Sequence, residues 1–284
     1  MFLTPLMKRL ENEQALDDAV ESARSTVNTV LPPGPVKDVL HGRPLGHALH
    51  PLLVALPIGM NVGATLLDVL GDEDDRAAAR RLVGAALLST VPTVASGWAD
   101  WSELGSAKRP MRVGLVHALA NGAAAGVFAA SWVARAAGHH RTGAALSMVG
   151  LAGLGAAGYL GGHLVYAQGV AVSRTMDHEP APREWTDVAA AQDVGEGLVR
   201  VDVAGEPVVL TRSGGVLRAL AATCTHLGGP LDEGTVEDGC VVCPWHGSRF
   251  DLADGSVERG PASVPQPAYD VRETGDRVEV RARP

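Results

Sequence analysis

Apolar residues run almost unbroken through four stretches of the chain, 51–70, 81–98, 113–137 and 144–167. Each is close to the ~20 residues a helix needs to cross a hydrocarbon layer. None carries the polar stripe expected of a helix on a water-facing surface. Gly158-Tyr-Leu-Gly-Gly162 in the fourth, and Gly122 with Gly126 in the third, predict close helix approach. Pro57 and Pro92 predict bends. Upstream, Leu16, Val20, Ala23, Val27 and Val30 recur at spacings of three and four, which predicts an amphipathic helix over 7–30, ended by Leu31-Pro-Pro-Gly-Pro35. Its weak apolar side predicts packing on the C-terminal domain rather than on a membrane surface. The first ten residues lack a basic leader followed by a long apolar run, so no signal peptide is expected.

The period changes after Trp185. Short apolar or alternating runs at 198–203, 207–211, 216–221, 241–242, 248–251, 269–273 and 278–281 are split by glycine-bearing turns. They predict a small antiparallel all-β domain. The expected organisation is an N-terminal helix and loop (1–40), a membrane α-helical bundle of four transmembrane helices (41–172), a linker stiffened by Pro180 and Pro182 (173–184), and the β domain (185–284).

Charge adds a partner class. The net charge is −8, and residues 1–178 balance fourteen acids with fourteen Lys or Arg. The imbalance lies wholly in the C-terminal domain, which argues against nucleic acid and toward a redox protein partner with a basic face, such as a reductase. Lys37, Arg43, Lys108, Arg109, Arg112 and Arg174 flank one side of the spans, and Arg76, Arg80, Arg81, Arg135 and Arg141 the other. That bias predicts a multi-pass protein of the lipid bilayer with the β domain on the cytoplasmic side of the membrane.

The densest chemistry is Cys224-Thr-His226-Leu-Gly-Gly-Pro-Leu231 and, with sixteen residues between His226 and Cys243, Cys243-Pro-Trp-His246-Gly-Ser-Arg-Phe250. Two loops each offer one thiol and one imidazole. Gly228, Gly229 and Gly247 permit tight turns, and Pro230 and Pro244 stiffen them. A structural zinc site is the rival use of this donor set, although zinc more usually pairs Cys-x-x-Cys with a His pair. Cys240 forms a Cys-x-x-Cys with Cys243 but sits in a strand pattern, and reads as a small buried residue.

The two loops resemble those of Rieske [2Fe–2S] proteins, and the resemblance extends over about 184–283. The loops lack the extra cysteines of the cytochrome bc branch, so they resemble the ferredoxin and oxygenase branch. The resemblance implies a [2Fe–2S] cluster with Cys224 and Cys243 on the buried iron and His226 and His246 on the outer one. It implies that Ser248 donates a hydrogen bond to the cluster, while Phe250 stands where high-potential relatives have tyrosine. A reduction potential in the lower part of the Rieske range follows.

Histidines mark the membrane segment. His41, His47 and His50 precede the first span, His117 lies near the start of the third and His163 near the end of the fourth. Ionisable groups inside a span usually face a functional interior. His117 and His163, expected at one depth, or His50, could bind haem b or a metal, or hydrogen-bond neighbouring helices. His50-Pro-Leu-Leu-Val-Ala-Leu-Pro-Ile-Gly59 and Gly158-Tyr-Leu-Gly-Gly-His-Leu-Val-Tyr166 resemble an uncharacterised family of four-span bacterial membrane domains, some fused to a Rieske domain.

The expected function is a membrane-anchored iron–sulfur electron-transfer protein, passing single electrons between a soluble redox partner and a membrane donor or acceptor, haem or quinone. It would be an electron carrier or a subunit of an oxidoreductase system rather than a complete enzyme. No dinucleotide fingerprint or separate mononuclear iron motif is present in the sequence. The alternative is an iron–sulfur redox sensor or assembly factor.

Overall fold

The computed structural model describes residues 3–105, 107–174 and 182–283. Most of the predicted linker, including Pro180, lies outside them. The chain forms two compact units: residues 1–32 with 49–170, and residues 33–48 with 171–284.

The first unit is helical. α1 (Thr4–Asn12) and α2 (Asp17–Val30) precede α4 (His50–Leu53), α5 (Ala55–Leu70), α6 (Arg76–Ser102), α7 (Lys108–Ala136) and α8 (His140–Tyr166); α3 (Pro35–Leu40) belongs to the second unit. Four helical stretches, His50–Leu70, α6, α7 and α8, are long and apolar enough to cross a membrane. Their outward positions are large and apolar, among them Leu52, Leu56, Ile58, Leu66, Val69, Leu88, Val91, Leu119 and Val149. Their inward positions are small, with Ala64, Ala79, Ala86, Ala99, Ala124 and Ala157 all buried. An apolar shell this large suits lipid rather than water.

α5 packs against α6 and α8, and α7 against the same two helices. The four form a closed ring with α5 and α7 at opposite corners. Pro57 removes the N–H that would serve the Leu53 carbonyl one turn back, and the Thr93 hydroxyl donates to that carbonyl at 3.4 Å instead. At the α5 end of the bundle, the guanidinium of fully buried Arg135 grips both carboxylate oxygens of Asp68, at 2.7 and 2.5 Å. The Ser131 and Ser147 hydroxyls complete its shell. Arg135 is therefore an internal ion-pair member and not a flanking surface charge.

The N-terminal segment differs from its expected form and place. Glu13 adopts an extended backbone (φ −73°, ψ 90°), which splits the predicted helix into α1 and α2. Both pack within the helical unit and not on the β domain. Met7 packs with Val113 and Leu164, and Arg24 donates to the Ser102 carbonyl at 3.0 Å. The reason is electrostatic as well as apolar. α7 opens with Lys108, Arg109 and Arg112, basic residues at the positive end of a helix dipole. Asp17 of α2 brings the missing anion, 2.7 Å from Arg112 and 3.0 Å from Lys108.

The second unit is built on three antiparallel sheets. β1 (Thr186–Ala190), β10 (Arg277–Ala282) and β9 (Tyr269–Thr274) form one, in that order. β2 (Val199–Val203), β3 (Glu206–Ser213) and β4 (Val216–Ala221) form the second. β5 (Thr235–Glu237), β6 (Cys240–Val242), β7 (Arg249–Asp251) and β8 (Val257–Arg259) form the third. Three of these, β1, β5 and β8, were not legible as strands in the sequence.

The β3–β4 hairpin separates two cores. Because side chains alternate along a strand, Val208, Leu210, Ala219 and Ala221 enter a core with Val203, Tyr269, Val278 and Val280. Val209, Leu220 and Ala222 face the other way, into a core with Leu231, Val241, Phe250, Leu252 and both loop cysteines. The second core is the floor of the functional loops.

Candidate metal centre

Both cysteine–histidine loops close with one hydrogen-bond pattern. The N–H of Cys224 donates to the Gly229 carbonyl (2.8 Å), and the N–H of Gly228 returns to the Cys224 carbonyl (2.9 Å). In the second loop, the N–H of Cys243 donates to the Ser248 carbonyl (2.9 Å), and that of Gly247 to the Cys243 carbonyl (3.0 Å). Gly228 and Gly247, each four residues after its cysteine, have φ of +78° and +71°. Only glycine takes that conformation without strain. Gly229 serves space instead: a β-carbon there would lie 2.8 Å from the Cys243 sulfur and 3.2 Å from the Trp245 ring.

The donors are sorted into two pairs. Cys224 and Cys243 are buried, come from opposite loops, and hydrogen-bond to each other. Backbone N–H groups of His226 and Leu227 point at the first sulfur, and those of Trp245 and His246 at the second. The shared hydrogen bond and these amides hold the Cys243 thiol below its ordinary range, and the same bond with burial pushes Cys224 up. The imidazoles of His226 and His246 form the second pair, ring centroids 5.1 Å apart at 88°. Burial, then His246, then His41, pushes His226 down to about 3, which keeps its ring neutral.

This arrangement fits a diiron cluster more closely than a single zinc. Among the described residues, no three His, Cys, Asp or Glu side chains converge on one point where an ion could sit. Tetrahedral zinc requires such convergence. Two thiols together and two imidazoles together match a cluster held at its two ends. Nδ1 of His226 is buried and has no hydrogen-bond partner. A buried ring nitrogen left unpaired costs about 1–3 kcal/mol unless something else takes it, and a metal bond does so.

Ser248 is fully buried beneath the second loop, and its Oγ accepts from the N–H of Ala262 at 3.0 Å. Its own hydrogen remains to be donated. Phe250 is fully buried in the loop floor. Cys240 is a buried strand residue facing away from the site, its Sγ 3.9 Å from the Asp238 carbonyl.

Sequence reasoning missed the groups that brace the loops. The Gln266 side chain bridges the Ala221 and Thr223 carbonyls (2.8 and 2.6 Å) and accepts from the N–H of Thr225 (3.1 Å). The Thr225 hydroxyl donates to the Val264 carbonyl. Residues 33–48 also pack on this unit. Asp38 accepts from the N–H of Gly260 at 2.8 Å, and Arg43 donates to the Val257 and Glu258 carbonyls. Lys37 and His41 are buried, and the His41 ring rests against Gly260. The backbone N–H of Arg174 reaches the Thr225 carbonyl at 3.4 Å. Gly34-Pro35 marks the α3 start in sequence, but nothing there shows what α3 docks against. Lys37 and Arg43 are thus packed within the β unit and are not free flanking charges of the spans.

The membrane-segment histidines do not form the expected His117–His163 clamp. His163 Nε2 lies 2.6 Å from Glu11 Oε1, and Gln168 donates to the same oxygen at 3.1 Å. His117 Nδ1 lies 2.8 Å from the Ala157 carbonyl, and His50 Nδ1 2.9 Å from that of Thr93.

Comparison with known proteins agrees with this reading of the loops. Residues 184–270 match the Rieske [2Fe–2S] domain, and residues 46–174 match a predicted membrane protein family, DUF2231. The anthranilate 1,2-dioxygenase ferredoxin subunit of Burkholderia cepacia is 36% identical over 98 residues, covering 34% of this chain and 91% of that protein. Cytochrome b6-f complex iron-sulfur subunit 2 of Nostoc sp. is 42% identical over 91 residues, 31% of this chain and 50% of that one. Apoptosis-inducing factor 3 of Homo sapiens is 32% identical over 106 residues, 36% of this chain, and the match spans 18% of that protein. With two paired donor sets on matching loops, and a ferredoxin subunit aligned over nearly its whole length, the chain belongs to the Rieske [2Fe–2S] family, its Rieske domain preceded by a DUF2231 membrane domain.

Proposed function

We propose that this protein is a membrane-anchored one-electron carrier working between a soluble redox partner and a donor or acceptor in the membrane. Cys224 and Cys243 would hold one end of a [2Fe–2S] cluster, and His226 and His246 the other. When bound, the cluster supplies one-electron redox chemistry. The observation that carries the reading is the unpartnered, buried Nδ1 of His226 beside the His246 ring. The loop amides aimed at both sulfurs stabilise their negative charge, and Ser248 adds a donor at the second loop. Trp245, about half exposed between Cys243 and His246, excludes water from the loop while leaving an apolar surface for a partner. The acidic excess of the Rieske domain steers a reductase with a basic face toward it. The membrane-side carrier is haem b or quinone, and the Rieske domain lies on the cytoplasmic side of a bacterial cytoplasmic membrane.

The test is spectroscopic. The full chain, produced anaerobically with iron supplied and purified in mild detergent, should carry non-haem iron and sulfide in equal amounts and give the EPR signal of a reduced Rieske cluster after dithionite. Cys224→Ser and Cys243→Ser should abolish that signal. Zinc in place of iron would end the proposal. Reduction by a soluble flavoprotein reductase should slow as salt rises, because screening weakens long-range attraction.

A further inference from the structure

The four-helix ring contains an internal repeat centred on two histidines. His50-Pro-Leu begins one helical hairpin and His117-Ala-Leu lies in the first helix of the other, with Gly59 and Gly126 each nine residues on. His50 reaches across to α6, where its Nδ1 meets the Thr93 carbonyl and its ring lies against Gly97. His117 reaches across to α8, where its Nδ1 meets the Ala157 carbonyl and its ring lies against Gly161. In both cases the glycine is four residues after the carbonyl. It is also five residues before the end of its helix, at Ser102 and Tyr166.

The chemistry of the motif is specific. In a helix, the carbonyl of residue i already accepts from the N–H of residue i+4. A second donor must approach past the side chain of that i+4 residue. A β-carbon at Gly97 would lie 2.8 Å from His50 Cε1, and one at Gly161 3.0 Å from His117 Cε1. Glycine therefore opens the carbonyl to the imidazole. Because a carbonyl only accepts, Nδ1 must carry the proton in both rings. Each Nε2 then presents a lone pair. This is the arrangement of a metal-ligating histidine, whose other ring nitrogen donates to a carbonyl or carboxylate. His50 Nε2 has no hydrogen bond to any described residue, and His117 Nε2 meets only the Asn121 amide at 3.2 Å.

The placement selects the ligand class. His50, on α4, leans on α6, and His117, on α7, leans on α8; α6 and α8 occupy opposite corners of the ring, and each imidazole rests against a glycine five residues before the end of its helix. His50 also lies within electrostatic reach of His117. No third His, Cys, Asp or Glu joins them among the described residues to complete a bare-ion site. Two neutral imidazoles match the needs of a six-coordinate metal that arrives with its other four donors. We propose that His50 and His117 are the axial ligands of a haem b held within the bundle, with the Thr93 and Ala157 carbonyls and Gly97 and Gly161 as positioning groups. His163, engaged through Nε2 by Glu11, is not a ligand. This deepens the reading above by naming its membrane-side carrier, but it stands on separate residues and a separate signal.

The experiment uses the full chain, expressed with a haem precursor and purified in mild detergent, with haemin added to any haem-free fraction. The expected result is one haem b per chain, with a Soret band and a sharp low-spin α band on reduction. His50→Ala and His117→Ala should each lower haem occupancy at least about tenfold, while His163→Gln keeps it. Free imidazole should restore the low-spin band in His117→Gly, which distinguishes lost ligation from lost folding. The Rieske EPR signal is read on every sample. A wild-type protein with a full cluster signal that takes up no haem overturns the proposal. So do His50→Ala and His117→Ala variants that bind haem like wild type.

Discussion

The imidazoles of His226 and His246 meet edge to face, 5.1 Å between centroids, although they come from loops separated by two strands and a turn of 3-10 helix. The relationship is set from beneath. Cys224 and Cys243 are fixed in one apolar core by β3, β4, β6 and β7, and each loop then places its imidazole above it. The Gly229 position decides whether the loops can close on each other. Gly229→Ala would drive a methyl group into the Cys243 sulfur and Trp245. The expected outcome is loss of most cluster incorporation with the helical unit still folded, read from non-haem iron content and EPR amplitude against far-ultraviolet circular dichroism.

The potential should fall at roughly −150 to +50 mV, the lower part of the class range, because hydrogen bonds to cluster sulfurs raise it and Phe250 supplies none. Phe250→Tyr should raise it and Ser248→Ala lower it, each by on the order of tens of mV, in an EPR-monitored redox titration. Ser248→Ala also strips the buried Ala262 N–H of its acceptor, at about 1–3 kcal/mol. A wild-type potential near the top of the range would contradict the assignment of Phe250.

Inside the helical unit, Asp68→Ala would leave the fully buried Arg135 unpaired. Breaking one half of a buried pair costs about 3–5 kcal/mol. Thermal melting in detergent should drop accordingly, and Asp68→Ala with Arg135→Ala together should recover part of the loss. Equal destabilisation in the single and double variants would show that the pair is not what matters there.

Acid should release the N-terminal segment before the bundle. Hydrogen bonds from Arg112 and then Lys108 hold the Asp17 carboxyl down to about 2, below the usual carboxylate range. The folded value is depressed, so the stabilisation is present above the unfolded value and is lost as pH falls through about 2. Hydrogen exchange in α2 should rise over that acid window in the native chain. In Asp17→Asn, exchange should already be raised at neutral pH and vary little with acid.

How much of this was written in the chain divides along physical lines. The four apolar helices, the β domain and the Cys and His donors of the two loops are local signals: length of apolar run, strand period, and donor residues at fixed spacing beside glycine and proline. Each depends on neighbours a few residues apart, so the sequence alone determined them. Helix ends extended beyond the apolar stretches, because charged residues such as Arg76 and Lys108 end the apolar run but are good helix formers and continue the helix.

The rest required tertiary structure, because it concerns which distant groups meet. Asp17 could be read as helix-starting, but not as the counter-charge of Arg112. Lys37 and Arg43 looked like headgroup-facing charges until α3 was seen against the Rieske domain. Three histidines were visible as costly residues near or inside spans, and sequence depth paired His117 with His163. Only the fold showed that Glu11 occupies His163, and that Gly97 and Gly161 open matching carbonyls to His50 and His117. Residue type limits what chemistry a side chain can do, but the single partner it meets is fixed by packing between helices, which leaves no periodic mark along the chain.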